Sequence, residues 1–412
     1  MALPVYGEVK LDISGQIRWR GEIERKIIHP AVGTRNFSLL RTRIMTRANI
    51  KDNAQAVVQF QDSRMFGCHD ASGTLNSLDN VDIHQAYIQI EHLWKNGPGF
   101  RAGRFEVNLG NQRIFGAVGW HNVGRAWEGL TAWKDLGNIN LAGYWLKQNE
   151  RNNASFNLDF DVFGLTADIN QIDIQALAFY EYKADYPSIL IDPYTILGSQ
   201  YRALKRISTG FYGDWQYKTF DIEANAVFQF GRKQEWGTDT AGNKTDQLRD
   251  ISAFMFTVEV WHTFSSKTKP GLAAGIDYTS GDDKSDDKIE TYNNLYYTGH
   301  KFRGYMDYFI ESDSSGLMDI VLKGKFNPAH GWTCRADFHY FTRTADYIDF
   351  NSKKTQDVGV EIDLTAQTGN IAGVNLDLGT SIFFPTESFA GYSNPDPAWW
   401  GYIMMTADFS NK

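Results

Sequence analysis

The chain reads as all-β, a transmembrane antiparallel up-and-down β-barrel of about eighteen strands with short periplasmic turns and long extracellular loops. Three observations lead there. First, Leu40, Thr42, Ile44, Thr46 and Ala48 alternate with Arg41, Arg43, Met45 and Arg47. A period of two sends these sets to opposite faces of a strand, and the guanidinium face must be wet because dry burial of charge is too costly. Second, short and long connections alternate along the chain. Third, aromatic residues make up 14% of the chain, with 37 Gly against 10 Pro, which suits strands and tight turns. A mean hydropathy of -0.41 excludes a helical membrane protein, but half of every barrel strand is polar, so a barrel is not excluded.

Taken in order, alternation and turn signals predict strands over 8–25, 36–51, 53–64, 81–94, 99–109, 124–135, 137–148, 158–169 and 171–183. The series continues over 205–217, 219–231, 249–265, 269–280, 314–327, 330–343, 354–368, 371–384 and 399–409. The dyad recurs in the later strands. Phe220, Ile222, Ala224, Ala226, Phe228 and Phe230 alternate with Asp221, Glu223, Asn225, Val227 and Gln229. Trp332, Cys334, Ala336, Phe338 and Tyr340 alternate with Thr333, Arg335, Asp337, His339 and Phe341, and Val358, Val360, Ile362 and Leu364 with Asp357, Gly359, Glu361 and Asp363.

Short turns fall at Lys51-Asp52-Asn53, Asn96-Gly97-Pro98-Gly99, Asn170-Gln171, Lys218-Thr219 and Gly369-Asn370, among others. Between them run loops 26–35, 65–80, 110–123, 149–157, 184–204, 232–248, 281–313, 344–353 and 385–398. This one-sided asymmetry is that of outer-membrane barrels. Aromatics at strand ends, namely Trp94, Phe100, Trp133, Trp215, Trp261, Phe264, Trp332, Trp399 and Trp400, suit interfacial girdles.

No composition shift divides the 412 residues, so 1–412 is expected to form a single outer-membrane β-barrel domain. The start, MALPVYGEVK, lacks the pattern of a signal peptide and is read as a mature form whose export signal has been removed. Cys68 and Cys334 have neither metal nor disulfide spacing. A net charge of -8, from 41 Lys and Arg against 49 Asp and Glu, argues against nucleic acid. No nucleophile or zinc motif appears, so an enzyme is not expected, nor is a cofactor.

Three stretches carry a family resemblance. Gly103-Arg104-Phe105-Glu106 with Gly110, Arg113, Gly116, Trp120, Gly124 and Arg125 is one; Ser280-Gly281-Asp282 with His300-Lys301-Phe302 and Gly304-Tyr305-Met306-Asp307 is a second; Val81 to Tyr87 is a third. Together they resemble the alginate-export family of outer-membrane channels. The resemblance implies an eighteen-stranded monomeric barrel in a Gram-negative outer membrane, in contact with lipid or detergent. Its lumen would be lined by arginines and narrowed by inward-folded loops, and the best-known members pass alginate.

By alternation the wet face carries Arg18, Arg20, Arg41, Arg43, Arg47, Arg104, Glu106 and Arg335, with Arg125, and with Arg64 and Arg113 reaching in from strand or loop ends. Permanent charge and a planar fork suit arginine to carboxylates. Glu22, Glu24, Glu106, Asp319 and Asp337 could instead pair with these arginines, and carboxylates on the opposite wall, such as Glu223, Glu259 and Asp377, would set up a transverse field. Loop 110–123, with Trp120, His121 and Asn122, is the candidate constriction. Asp282, Asp283 and Asp286 offer oxygen donors of the kind a divalent cation prefers, although the run lacks EF-hand positions and reads first as solvated acid. The expected function is passive diffusion of anionic solutes, uronate-type oligo- or polysaccharides, through an arginine-lined lumen. The rival is a general or small-molecule-selective porin with a mixed-charge constriction.

Overall fold

The computed structural model describes residues 9–29, 31–50, 53–66, 81–149, 152–153, 156–157, 159–183, 203–238, 244–329 and 331–411. The strands are β1 (Val9–Arg25), β2 (Arg35–Ile50), β3 (Ala54–Met65), β4 (Asp82–Ile90), β5 (Gly99–Phe105), β6 (Trp127–Asp135) and β7 (Ile139–Asn149). Next come β8 (Asn152–Asn153), β9 (Phe156–Asn157), β10 (Phe160–Ile169), β11 (Ile174–Lys183), β12 (Leu204–Tyr217), β13 (Phe220–Thr238) and β14 (Lys244–Thr263). The last are β15 (Gly271–Thr279), β16 (Leu317–Phe326), β17 (Trp332–Ile348), β18 (Lys354–Ile371), β19 (Val374–Pro385) and β20 (Ala398–Ser410).

Apart from β8 and β9, which pair only with each other, these strands form one 18-stranded antiparallel sheet. It closes where β1 pairs with β20, from Ser14↔Ser410 to Arg25↔Trp399, so no edge strand is left to aggregate. The protein is inside out. Ile17, Leu322 and Leu364 are 47%, 56% and 48% exposed, while Arg18 and Arg41 are 5% and 4% exposed. An apolar exterior is stable only against lipid.

Most predicted strands and turns hold, and the departures have local causes. β5 stops at Phe105, short of the expected 109, because the backbone N–H of Glu106 turns inward to Gln85 Oε1 (3.1 Å) and that of Leu109 donates to Phe115 O (3.1 Å). Most of loop 232–248 is strand instead: the β13–β14 ladder runs on to Thr238↔Lys244. A bulge opposite Gln59 and Phe60 leaves His84 and Gln85 both inside, where His84 meets Glu106 and Gln85 meets Gln59. A second bulge places Phe341 opposite Gly359 and Thr342 opposite Asp357, which moves Val358 from its expected outer face into the interior beside Phe341 and Phe383. Three expected girdle residues also face inward: Trp133 beside Arg101, Trp261 bonded to Glu259, and Trp400 bonded to Glu22. Cys334 is a half-buried free thiol; Cys68 and loop segments 67–80 and 184–202 lie outside the described residues.

Two long connections fold into the lumen, one between β5 and β6 and one between β15 and β16. They are joined by a parallel bridge at Phe115 and Tyr296. Gly116 N donates to Tyr296 O, Tyr296 N to Ile114 O and Thr298 N to Gln112 O, each at 3.0 Å. Each brings an apolar cluster with it. Phe115, wholly buried, packs on Trp127, Phe179 and Tyr296 with ring centroids 4.5–5.6 Å apart. Met306 and Phe309 pack with Phe341, Phe383 and Trp400. At about 1.5–3 kcal/mol per buried large side chain, such clusters hold loops at membrane depth where solvated loops would float free.

Candidate functional site: the lumenal constriction

The narrowing is built where β1 and β2 face the β5–β6 loop. Arg18 and Arg41 are direct cross-strand partners, and both reach across to backbone oxygens of that loop. Arg18 donates to Gly119 O (2.7 Å), Trp120 O (3.0 Å) and His121 O (3.2 Å). Arg41 donates to Gly119 O (3.1 Å), His121 O (3.2 Å) and Gln16 Oε1 (2.6 Å). Arg20 donates to Trp120 O and to Glu22, both at 2.7 Å, and its guanidinium lies 3.9 Å from the Trp120 ring. Arg43 meets Glu106 (3.2 Å), Gln61 (2.6 Å) and Val123 O (3.1 Å). Asn122 completes the anchorage through Leu40 O (3.1 Å) and Ser63 Oγ (2.8 Å). On β1 and β2, Arg18, Arg20, Arg41 and Arg43 thus turn inward and grip a loop.

Electrostatics explains the arrangement. Arg20 and Arg43 have carboxylates in Glu22 and Glu106; Arg18 and Arg41 bond only neutral oxygens. Burial pushes the Glu106 carboxyl upward, but His84 and Arg43 hold it below its ordinary value. Burial first, and then Arg20, Arg18, Arg125 and Arg41, lower the His121 pKa.

The other predicted residues divide. Arg113 pairs with Asp277 and lies 3.9 Å from the Phe302 ring inside the lumen. Arg125 donates to Tyr296 O and to Tyr297 O (3.4 Å), stapling the two loops. Arg335 pairs with Asp337 at 2.8 Å, and Arg47 faces inward opposite Asp12. Two expectations are overturned. Arg104 points outward, because Phe105 takes the inner face, and pairs with Glu128 on the exterior. Arg64 shares the outer face of Leu40 and pairs with Asp62 at 2.7 Å.

Sequence reasoning missed Arg101, which lines the inner wall against Gln89 (2.8 Å), and the buried Arg303, held by Asp277 (2.8 Å) and Asn294 (3.0 Å). It also missed His300, whose ring stacks on Trp120 and whose Nδ1 meets Asp307 at 2.9 Å. For His300 and Arg303 the available signal was their place in or beside the second family block.

Against these loops lies a cavity of about 570 Å³. Trp120, Trp261, Phe302 and Tyr402 supply rings to its wall, and Lys301 and Lys325 are lining cations with no ion pair among the described residues. Glu223, Glu259, Asp337 and Asp377 add acid, so this wall is mixed in charge. The acidic run is a different matter. Among the described residues, Asp282, Asp283 and Glu290 place ligand-capable oxygens within 4.8 Å of one another. Asp286 is not of that group; it accepts from Lys288 N at 2.7 Å. Arg249 lies 3.3 Å from Asp282, and Asp282, Asp283 and Asp286 each cap a backbone N–H two residues on, as expected of an acidic turn.

The family profile described as Alginate export matches residues 9–390. The chain belongs to the alginate-export family. No curated protein matches it. Among solved structures it is similar to OccD3 (OpdP) of Pseudomonas aeruginosa, with TM-score 0.59 and 9% identity over 98% of this chain and 92% of that one. It is also similar to P. aeruginosa OpdK with vanillate (TM-score 0.59, 10% identity, 98% and 99% covered) and to Acinetobacter baumannii OccAB1 (0.59, 11%, 97% and 97%). At such identities the likeness is one of fold. An alginate-export family barrel of porin architecture is an outer-membrane channel of Gram-negative bacteria.

Proposed function

We propose that this channel passes small anionic, hydroxyl-rich solutes of the uronate class by passive diffusion, as a monomer. One observation carries the reading: Arg18 and Arg41, adjacent and buried, make no ion pair among the described residues, so this wall keeps positive charge that Glu22, Glu106 and Asp408 offset only from farther away. A passing carboxylate is attracted by this charge across the loop that the two guanidinium groups hold. Aromatic rings beside them suit the apolar faces of sugar rings. A cavity of about 570 Å³ lies within the range of small-ligand sites and favours a mono- or short oligosaccharide over a polymer in this conformation. OpdK, alike in fold, was solved with vanillate, itself a small carboxylate.

The mixed charge of the cavity wall favours a second reading, a small-molecule porin of broad selectivity. Planar-bilayer recording under a salt gradient separates them. Anion-selective current blocked by short oligouronates and not by neutral sugars of equal size supports the first reading; equal block by both makes it a broad porin.

A further inference from the structure

Three strands along the wall from β1, Glu361 and Asp363 stand two residues apart on the inner face of β18, 0% and 1% exposed. Each uses one oxygen to hold the second lumenal loop. Met306 N donates to Glu361 Oε1 at 2.8 Å and Tyr305 N to Asp363 Oδ2 at 3.3 Å. Among the described residues, the remaining oxygens, Glu361 Oε2 and Asp363 Oδ1, are buried and have no donor at normal hydrogen-bond geometry, and the Ser381 hydroxyl of β19, the hydroxyl nearest Asp363, makes no well-formed bond either. The two carboxyl groups leave one face of the strand two residues apart and converge on the adjacent amides of Tyr305 and Met306. Two acceptors in contact make a hydrogen bond only when one of them keeps its proton.

We propose that Glu361 and Asp363 bind one proton between them, and that this acid–carboxylate pair is a titratable latch for the Gly304-Tyr305-Met306 segment. A divalent cation is a poor fit, because Ca²⁺ takes six to eight oxygens and only three unpartnered oxygens stand here. One neighbouring group can carry charge toward the pair: His339 on β17 meets Asp319 of β16 through Nδ1 at 2.8 Å and turns Nε2 to Asp363 at 3.6 Å. Divided between Asp319 and Asp363, it does not also offset Glu361, and Arg335 is held by Asp337. β19 offers only Ser381. From the loop come Tyr305, Tyr308 and Asp307, the last bonded to His300.

Loss of the shared proton would leave two adjacent anions out of water, an arrangement costly in so dry a place. Relief comes when water reaches them, and Gly304 is in the way: a Cβ there would sit 2.5 Å from Glu361 Oε1. The loop must lift at Gly304, which widens the lumen beside β18. Conductance therefore rises as pH climbs past the release of the proton.

The test is single-channel conductance from acid to alkaline pH, with infrared spectra of the same reconstituted protein. The wild type should show the alkaline rise and the carbonyl band of a protonated carboxyl that fades across it. Glu361→Gln, which supplies a permanent donor in nearly the same shape, should lose both the rise and the band, and Asp363→Asn should do the same. An unchanged rise in both variants, no protonated-carboxyl band in the wild type, or a conductance that follows added Ca²⁺ or chelator at fixed pH would overturn the proposal. Because the readout is opening and not ion preference, a failure of anion selectivity is separately visible.

Discussion

Trp120 and His300 come from different loops, yet their rings stack at 4.1 Å with 11° between the planes. Arg20 contacts the same indole at 3.9 Å, and Tyr402 meets it edge-on at 4.8 Å. One side chain thus ties the β5–β6 loop to the wall and to the β15–β16 loop. Trp120→Ala should free the tip of the first loop. Large aromatic truncations cost about 3–5 kcal/mol in packed interiors, and for this half-buried ring the lower end applies. The expected result is a several-fold increase in single-channel conductance with greater open-state noise; an unchanged conductance would mean that the tip does not set the narrowing.

Arg18 and Arg41 face the loop, whereas Arg104 faces outward to Glu128. Reversal potentials under a salt gradient separate the two environments. The Arg18→Ala/Arg41→Ala variant should lose much of its anion preference, and Arg104→Ala should keep the wild-type value. A shift on replacing Arg104 would place its charge in the lumen after all.

His121 gives the constriction an acid limb. Its pKa in the docked loop lies below the ordinary value of about 6.5, through burial and then the charge of Arg20, Arg18, Arg125 and Arg41. The docked loop thus binds fewer protons there than the released loop. By linkage its contribution to docking is complete above about pH 6.5 and is lost as pH falls through the lowered value. Protonation also removes Nδ1 as acceptor for Val123 N. Current noise should grow on acidification in the wild type and stay flat in His121→Gln.

Asp277 sits between Arg113 and Arg303. Asp277→Asn would leave the buried Arg303 guanidinium without its counter-charge, a change that typically costs 3–5 kcal/mol. The β15–β16 loop should then become open to protease at temperatures where the barrel stays folded, as judged by retained heat-modifiable migration in a detergent gel. Equal resistance in variant and wild type would show that other contacts suffice.

The eighteen strands were legible because lipid outside and water inside impose a strict dyad, and the dyad survives in sequence. Where it misled, the interior had ceased to be merely wet. Phe105, Trp127, Val227 and Phe341 face inward because the loops bring apolar surface with them; alternation with polar neighbours placed Val227 and Phe341 there, but Phe105 was assigned outward. Phe105 is the telling case: placing it outside put Arg104 inside and hid Arg101. Bulges at His84 and Val358 reversed parity locally, which a period of two cannot anticipate. Partners such as Asp277 with Arg113, 164 residues apart, emerge only on folding.

The grip of Arg18 and Arg41 falls on the peptide oxygens of Gly119, Trp120 and His121, which every amino acid except for its side chain supplies alike. The tether is therefore blind to what the loop tip displays. While the Trp120 ring keeps its stacking, the other residues there can be exchanged and the segment keeps its place, so preference for one solute over another can be rewritten at the tip without rebuilding the wall that carries it.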